Sequence, residues 1–138
     1  MNEEQVVGVL GIIKHNDSFL FVRRSPKSKF EANKWGFAGG AVKFTENPID
    51  ALKREIMEEV GLEIDNHKLF NIYNGVFDSN DNKTKRHSIL ITFICDVKNR
   101  EVKLNEKEHS EFKWTNLDEM KELDVIEGNE KILEDLGR

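Results

Sequence analysis

Apolar and polar positions alternate along this chain in two rhythms, one of period two and one near 3.6. Val6 to Lys14 (VVGVLGIIK) and Ser18 to Arg24 (SFLFVRR) are β-rich runs joined by His15-Asn16-Asp17, which predicts an antiparallel hairpin. Ser25 to Lys34 is polar with one proline and reads as a surface loop able to reach a ligand; it leads into WGFAGG at Trp35 to Gly40. Farther on, HKLFNIYNGVF (67–77) and HSILITFICDV (87–97) predict two more strands. The polar stretch between them, Asp78 to Arg86, reads as a long, mobile hairpin loop. A short strand is expected near Phe112 to Trp114. Asn116 and Glu119 form a capping-box pattern for a helix through about Leu123, and Asn129 is expected to cap a final helix carrying Ile132, Leu133 and Leu136.

The helical rhythm is clearest in the middle of the chain. Ile49, Leu52, Ile56 and Val60 fall on one narrow stripe at about 100° per residue, so a helix should bury that stripe on a core. Asn47 suits the N-cap, and Pro48 suits the first turn, where its fixed φ helps and its missing N–H costs nothing. Asp50 could reach back in a capping-box manner, and Gly61 fits a left-handed residue just past the end. The helix should therefore run from about Pro48 to Val60. Strands, a helix, more strands and terminal helices imply a mixed sheet covered by helices, an α+β or α/β fold in one domain spanning residues 1–138.

Composition narrows the classes of function. The chain is 38% apolar and 34% charged, with no stretch approaching the roughly 18 to 20 apolar residues of a membrane span. Its start, MNEEQ, is acidic rather than a basic leader, so a cytoplasmic protein is expected. The single cysteine, Cys95, cannot form an internal disulfide and lies in an apolar run, where a buried, inert thiol is expected. A net charge of −5 argues against binding a nucleic-acid polymer, which needs a basic surface to neutralise phosphates. An acidic chain that handles phosphate must do so through metal and a few local cations. Composition leaves monomer and homodimer equally open.

On the central helix, Glu55, Glu58 and Glu59 are related by i+3 and i+4, so their carboxylates project together from a face adjoining the buried stripe. Like charges at that spacing repel by tenths of a kcal/mol per pair, a conflict that a bound cation removes. Hard oxygen ligands suit Mg²⁺ or Mn²⁺, and Mg²⁺ typically shares its coordination with substrate phosphates and water.

The segment from Gly40 to Leu62, GAVKFTENPIDALKREIMEEVGL, also fits the pattern G-x5-E-x7-R-E-U-x-E-E-x-G-U, U being aliphatic. The matched residues are Gly40, Glu46, Arg54, Glu55, Ile56, Glu58, Glu59, Gly61 and Leu62, and on them the chain resembles the Nudix hydrolases. That resemblance implies the family's α/β/α sandwich with a mixed β-sheet, and divalent-metal-dependent hydrolysis of a nucleoside diphosphate linked to another moiety. It implies that Glu55, Glu58 and Glu59 are the principal metal ligands, with Glu46 assisting through the metal cluster or a salt bridge. Arg54 would orient a carboxylate, and a backbone carbonyl, that of Gly39, would add a ligand. The general base would be Glu55, Glu58 or a downstream acid. Glu108, in KEHSEFKW, resembles in position a glutamate that supplies a ligand or the base in many relatives; a solvated loop carboxylate is the alternative, and Glu111 and Glu106 are substitutes. His109 reads as an exposed loop histidine.

Substrate contacts must come from outside that segment. Arg23 and Arg24 end a strand on opposite faces, and Arg23 is the candidate phosphate clamp. Trp35 and Phe37 flank the glycines and either stack on a base or pack the core; Phe44 lines the site or covers its loop. The window GVFDSN lacks the proline and the tyrosine that mark ADP-ribose and dinucleoside polyphosphate subgroups, respectively. Ala38 stands where many triphosphate-hydrolysing relatives have proline, a change of loop rigidity more than of ligand chemistry. The resemblance thus implies a MutT-like (d)NTP diphosphohydrolase releasing a nucleoside monophosphate and pyrophosphate. The alternatives are ADP-ribose, nucleotide-sugar or dinucleoside polyphosphate pyrophosphatases, and a Nudix-fold regulatory domain without turnover.

Overall fold

Successive strand residues point to opposite sides of a sheet, and this chain buries both sides. In strand β1 (Asn2–His15), Val9 and Ile13 join one hydrophobic cluster and Ile12 another; in β2 (Ser18–Arg24), Leu20 and Val22 join the first and Phe21 the second. Helix α1 (Pro48–Val60) covers the first cluster with Leu52, Ile56 and Val60, all fully buried. On the opposite side, α2 (Leu117–Lys121) contributes Met120 and α3 (Asn129–Leu136) contributes Ile132 and Leu133. These layers form a mixed α+β architecture in a computed structural model that describes residues 1–138. None of its helices is long and apolar enough to cross a membrane.

The sheet has seven strands: β1 and β2, then β3 (Trp35–Gly36), β4 (Ala38–Ala41), β5 (Ile64–Asp78), β6 (Thr84–Val97) and β7 (His109–Thr115). One edge of β1 runs parallel to β6, from Asn2 opposite Thr84 to Lys14 opposite Asp96, and β5 lies outside β6. Its other edge is shared. Gly8 to Gly11 pair antiparallel with β4, whereas only Lys14 and His15 pair with β2. Beyond that short hairpin β2 pairs instead with β7, and with β3 at Val22 and Arg23. The sheet therefore forks, and both branches line the cleft described below.

Helix α1 has the ends its sequence predicts. The Asn47 side chain accepts from the Ile49 amide at 2.8 Å, and Gly61 adopts φ 67°, its amide donating to the Met57 carbonyl. Asp50 makes no return bond to the cap, so the capping box there does not form. In α2, Asn116 caps as expected by accepting from the Glu119 amide at 2.9 Å, but the Glu119 carboxylate takes the Thr115 hydroxyl.

Two expectations are corrected. The stretch Asp78 to Arg86 is not a long mobile loop: β5 and β6 extend into it and leave a tight turn at residues 79–83. The Ser79 hydroxyl donates to Asp81 and its oxygen accepts from the Lys83 and Thr84 amides, at 2.6, 3.2 and 3.0 Å. These polar side chains satisfy the backbone within the turn. The turn tip is also anchored, because Asn80 donates to the carbonyls of Ser28 and Lys29. Asn129, in turn, is not a cap. Gly128, at φ 93°, takes that position, and Asn129 is buried in the first turn of α3.

Cys95 is fully buried, and burial pushes its thiol up to about 12, consistent with inert packing.

Candidate active site

The last carbonyls of a helix have no partner within it. At the end of α1 the following chain supplies them: the Lys103 amide donates to the Val60 carbonyl at 2.8 Å, and the Asn105 amide to the Glu59 carbonyl at 2.9 Å. Asn105 then accepts from the amides of Glu108 and His109, turning the chain into β7. Glu108 and His109 are thereby brought to the carboxylate of Glu59, although they lie far along the sequence.

On the other side of α1, strand β4 is squeezed between the helix and β1. A Cβ at Gly39 would sit 1.9 Å from the Val9 carbonyl oxygen, so the backbone approaches more closely than any side chain permits. The Gly39 amide donates to Glu59 Oε1 at 2.9 Å, and a Cβ at Gly40 would fall 2.3 Å from the Glu55 carboxylate. The glycine pair is thus the bed on which two of the three predicted carboxylates rest.

Burial raises the proton affinity of these acids. Glu59 is 5% exposed and is pushed up to about 7, and Glu55 is also raised, by burial that outweighs its bond to Arg54. Glu108 is raised by its contact with Glu59 and then by burial. His109 is not the exposed loop residue expected: it is 3% exposed at the start of β7, and burial lowers it to about 4, leaving a neutral ring. Ligand atoms of Glu59, Glu108 and His109 lie within 4.8 Å of one another. Two carboxylates whose proton affinities are raised by burial and by each other, beside a neutral imidazole, fit the donor set of a divalent cation.

Arg54 organises the remaining acids. Its guanidinium donates to both oxygens of Glu46 at 2.8 and 2.9 Å, to Glu55 at 2.7 Å, to Glu58 at 3.2 Å and to the Ala41 carbonyl at 3.1 Å. The two-point bond to Arg54, helped by the Lys43 amide, holds Glu46 down at about 2. Glu46 is therefore a permanent anion that fixes Arg54, and Arg54 fixes Glu55 and the exposed Glu58.

A cleft leads away from Glu59, His109, Gly39 and Gly40, between the branches of the sheet. Arg24 lines it, and its Nε donates to the Phe30 carbonyl at 2.9 Å. Arg23 instead faces outward and pairs with Glu111 at 2.8 Å. Leu20 and Val22 face the side of α1, and alternation puts Arg24 there too, a signal the sequence carried. Of the aromatic candidates, Phe37 lines the cleft, Trp35 packs against Phe21 in the core, and Phe44 is 97% exposed. Reading the sequence missed Phe30, Phe77, Arg86, Ile126 and Asn129, which complete the walls. The buried Asn129 Oδ1 has no hydrogen-bond partner.

The NUDIX domain family model matches residues 3–136, nearly the whole chain. This chain belongs to the Nudix family. A relative from Buchnera aphidicola, an 8-oxo-dGTP diphosphatase, is 33% identical over 133 residues, covering 96% of this chain and 92% of its own. The nucleoside triphosphatase NudI of Escherichia coli is 29% identical over 134 residues, covering 91% and 92% of the two chains. Among solved structures, a MutT protein from Methanosarcina mazei superposes with a TM-score of 0.79 at 25% identity, over 97% of this chain and 94% of that one. This Nudix hydrolase therefore carries the family's fold along essentially its whole length, and its Nudix box, the motif from Gly40 to Leu62, occupies the loop, helix and loop described above. Nudix hydrolases use divalent metal ions, and the acidic cluster of this chain is suited to hold one.

Proposed function

We propose that this Nudix hydrolase cleaves a nucleoside triphosphate to the monophosphate and pyrophosphate in the presence of Mg²⁺ or Mn²⁺. The observation that carries the reading is the polarity of the cleft. Its lining combines a polar set, Glu59, His109, Arg24 and the Gly39–Gly40 backbone, with an apolar set, Phe37, Phe77, Leu90 and Ile126, and one unpartnered amide oxygen, that of Asn129. A phosphate chain suits the first set and a flat base the second. The names of the relatives agree in direction: both act on nucleoside triphosphates, one of them on an oxidised purine.

In this reading Glu55, Glu58 and Glu59 hold the metal, with Glu108 and the Gly39 carbonyl contributing and Glu46 and Arg54 as the support behind them. Bound by these residues, a divalent ion would supply charge to offset the phosphates and would lower the pKa of a water molecule. Arg24 aligns the phosphate chain. Glu108 is the group placed to take the proton from the attacking water, because Arg54 engages Glu55 and Glu58 but not Glu108. The bond from phosphorus to the bridging oxygen breaks as the water oxygen adds, and pyrophosphate leaves. Asn129 reads the base edge through its amide.

The test is a panel of canonical and 8-oxo nucleoside triphosphates, ADP-ribose, sugar nucleotides and dinucleoside polyphosphates with Mg²⁺ and Mn²⁺, using Glu58→Gln as control. Pyrophosphate release from a triphosphate, lost in the control, is expected. Hydrolysis confined to the other substrates, or unchanged in Glu58→Gln, refutes the reading.

A further inference from the structure

His109 has a geometry that packing does not explain. It is 3% exposed, and neither ring nitrogen makes a well-formed hydrogen bond, although the Arg23 backbone lies close enough to act on the ring. A buried imidazole normally satisfies at least one of them, since leaving polar atoms bare inside a protein is costly. The ring is nevertheless not remote from polar groups. Its Nε2 lies 3.3 Å from Glu59 Oε1, close enough for a hydrogen bond but without the alignment of one. Two polar atoms at that distance that do not point at each other can point at a common third position. Ligands about 2.1 Å from one metal ion and at right angles to each other lie about 3 Å apart. The Nε2–Oε1 separation matches that spacing, and the Glu108 carboxylate belongs to the same group within 4.8 Å.

The surroundings keep the nitrogen in place. The His109 amide is held by the Asn105 carbonyl and β7 pairs His109 with Arg24 of β2, which fixes the backbone that carries the ring, and the ring itself is enclosed by its burial. Glu59 Oε1 is fixed by the Gly39 amide. Glu59 and His109 both line the cleft.

We infer that His109 Nε2 is a nitrogen ligand of the divalent cation held by Glu59 and Glu108, so that this chain binds a transition-series ion such as Mn²⁺ in preference to Mg²⁺. The inference rests on the proposal that a cation occupies the box. An all-oxygen set suits Mg²⁺, whereas imidazole nitrogen adds affinity for softer first-row ions and little for Mg²⁺. His109 acts here on the metal, separately from any role in proton transfer.

Electron spin-echo measurements on the protein with one equivalent of Mn²⁺ and no nucleotide test it. The expected result is nitrogen modulation from a directly bound imidazole, which changes to the ¹⁵N pattern in protein labelled with ¹⁵N-histidine and disappears in His109→Gln. Equilibrium titration should show Mn²⁺ affinity falling by at least the roughly tenfold seen when a metal site loses a supporting partner, and Mg²⁺ affinity changing much less. The labelled native protein carries the test by itself if the variant does not fold. Tight Mn²⁺ binding with no directly bound nitrogen overturns the inference and leaves the proposed hydrolase reading intact. Failure to bind Mn²⁺ at all overturns both.

Discussion

Replacing Glu59 by Gln should make the metal-free protein more stable while removing its activity. The carboxylate is 5% exposed and has been lifted by burial from an ordinary 4.5 to about 7. Between those values the unfolded chain has released the proton and the folded chain still binds it, so stability falls as pH rises through this window. Above it the loss is complete. At ~1.4 kcal/mol for each tenfold in proton affinity, the gap amounts to about 3 kcal/mol. Glutamine keeps the size of the side chain and an oxygen for the Gly39 amide, but carries no charge to desolvate. Urea unfolding in EDTA should therefore show Glu59→Gln more stable by about 2 to 3 kcal/mol at pH 8, with the difference shrinking to nothing near pH 4.5. His109 works the other way: its buried neutral ring, lowered to about 4, costs stability as pH falls below its ordinary 6.5. That desolvation cost is present in both proteins, whereas the rise of Glu108, caused first by Glu59, is relieved in the variant and adds to its advantage above pH 4.5. Adding Mn²⁺ should restore the native protein and leave the variant unchanged. Equal stability at pH 8, or an advantage that grows on acidification, would show that the Glu59 carboxylate is not under the burial strain described.

Further outcomes follow from other contacts. Leu52→Ala, at a fully buried position of α1, should cost about 3 to 5 kcal/mol in urea unfolding, and a loss under 1 kcal/mol would contradict the packing. Gly39→Ala should abolish activity and lower Tm sharply, because the added carbon meets the Val9 carbonyl at 1.9 Å; a folded, active variant would mean that β4 can leave β1. Arg24→Ala should raise KM for a triphosphate by tenfold or more, on the order of 1.5 kcal/mol for a lost charge-assisted contact, while Arg23→Ala, which frees the exposed Glu111 and the Asn33 carbonyl, should change KM little. The reverse ranking would place the phosphate chain elsewhere.

Local signals in the sequence settle the central helix. Asn47, Pro48 and Gly61 act within a turn of their own positions, and the stripe of Leu52, Ile56 and Val60 needs only the helical period. Alternation likewise places Val9, Leu20 and Phe21 on their faces. What distance along the chain hides is the company each residue keeps. His109 looks like a polar loop residue because its burial depends on Asn105 docking at the end of α1 and on β7 pairing with β2. Asn129 resembles a cap because a cap and a buried first-turn amide use the same residue type, and only the left-handed Gly128 separates them. The polar run after Asp78 looks mobile because side-chain bonds to the backbone, such as those of Ser79, leave no mark in hydropathy.

That same turn matters to anyone who would engineer this protein. A polar, five-residue connection between two long strands is where one would first splice a tag, insert a reporter or cut the chain for circular permutation. Here Ser79 is 1% exposed, and Asn80 fastens the turn to the backbone of Ser28 and Lys29, in the segment that also carries Phe30 to the cleft. An insertion at Asn80 would therefore loosen one wall of the cleft from a distance, and the exposed stretch from Lys98 to Glu101 is the safer place to open the chain.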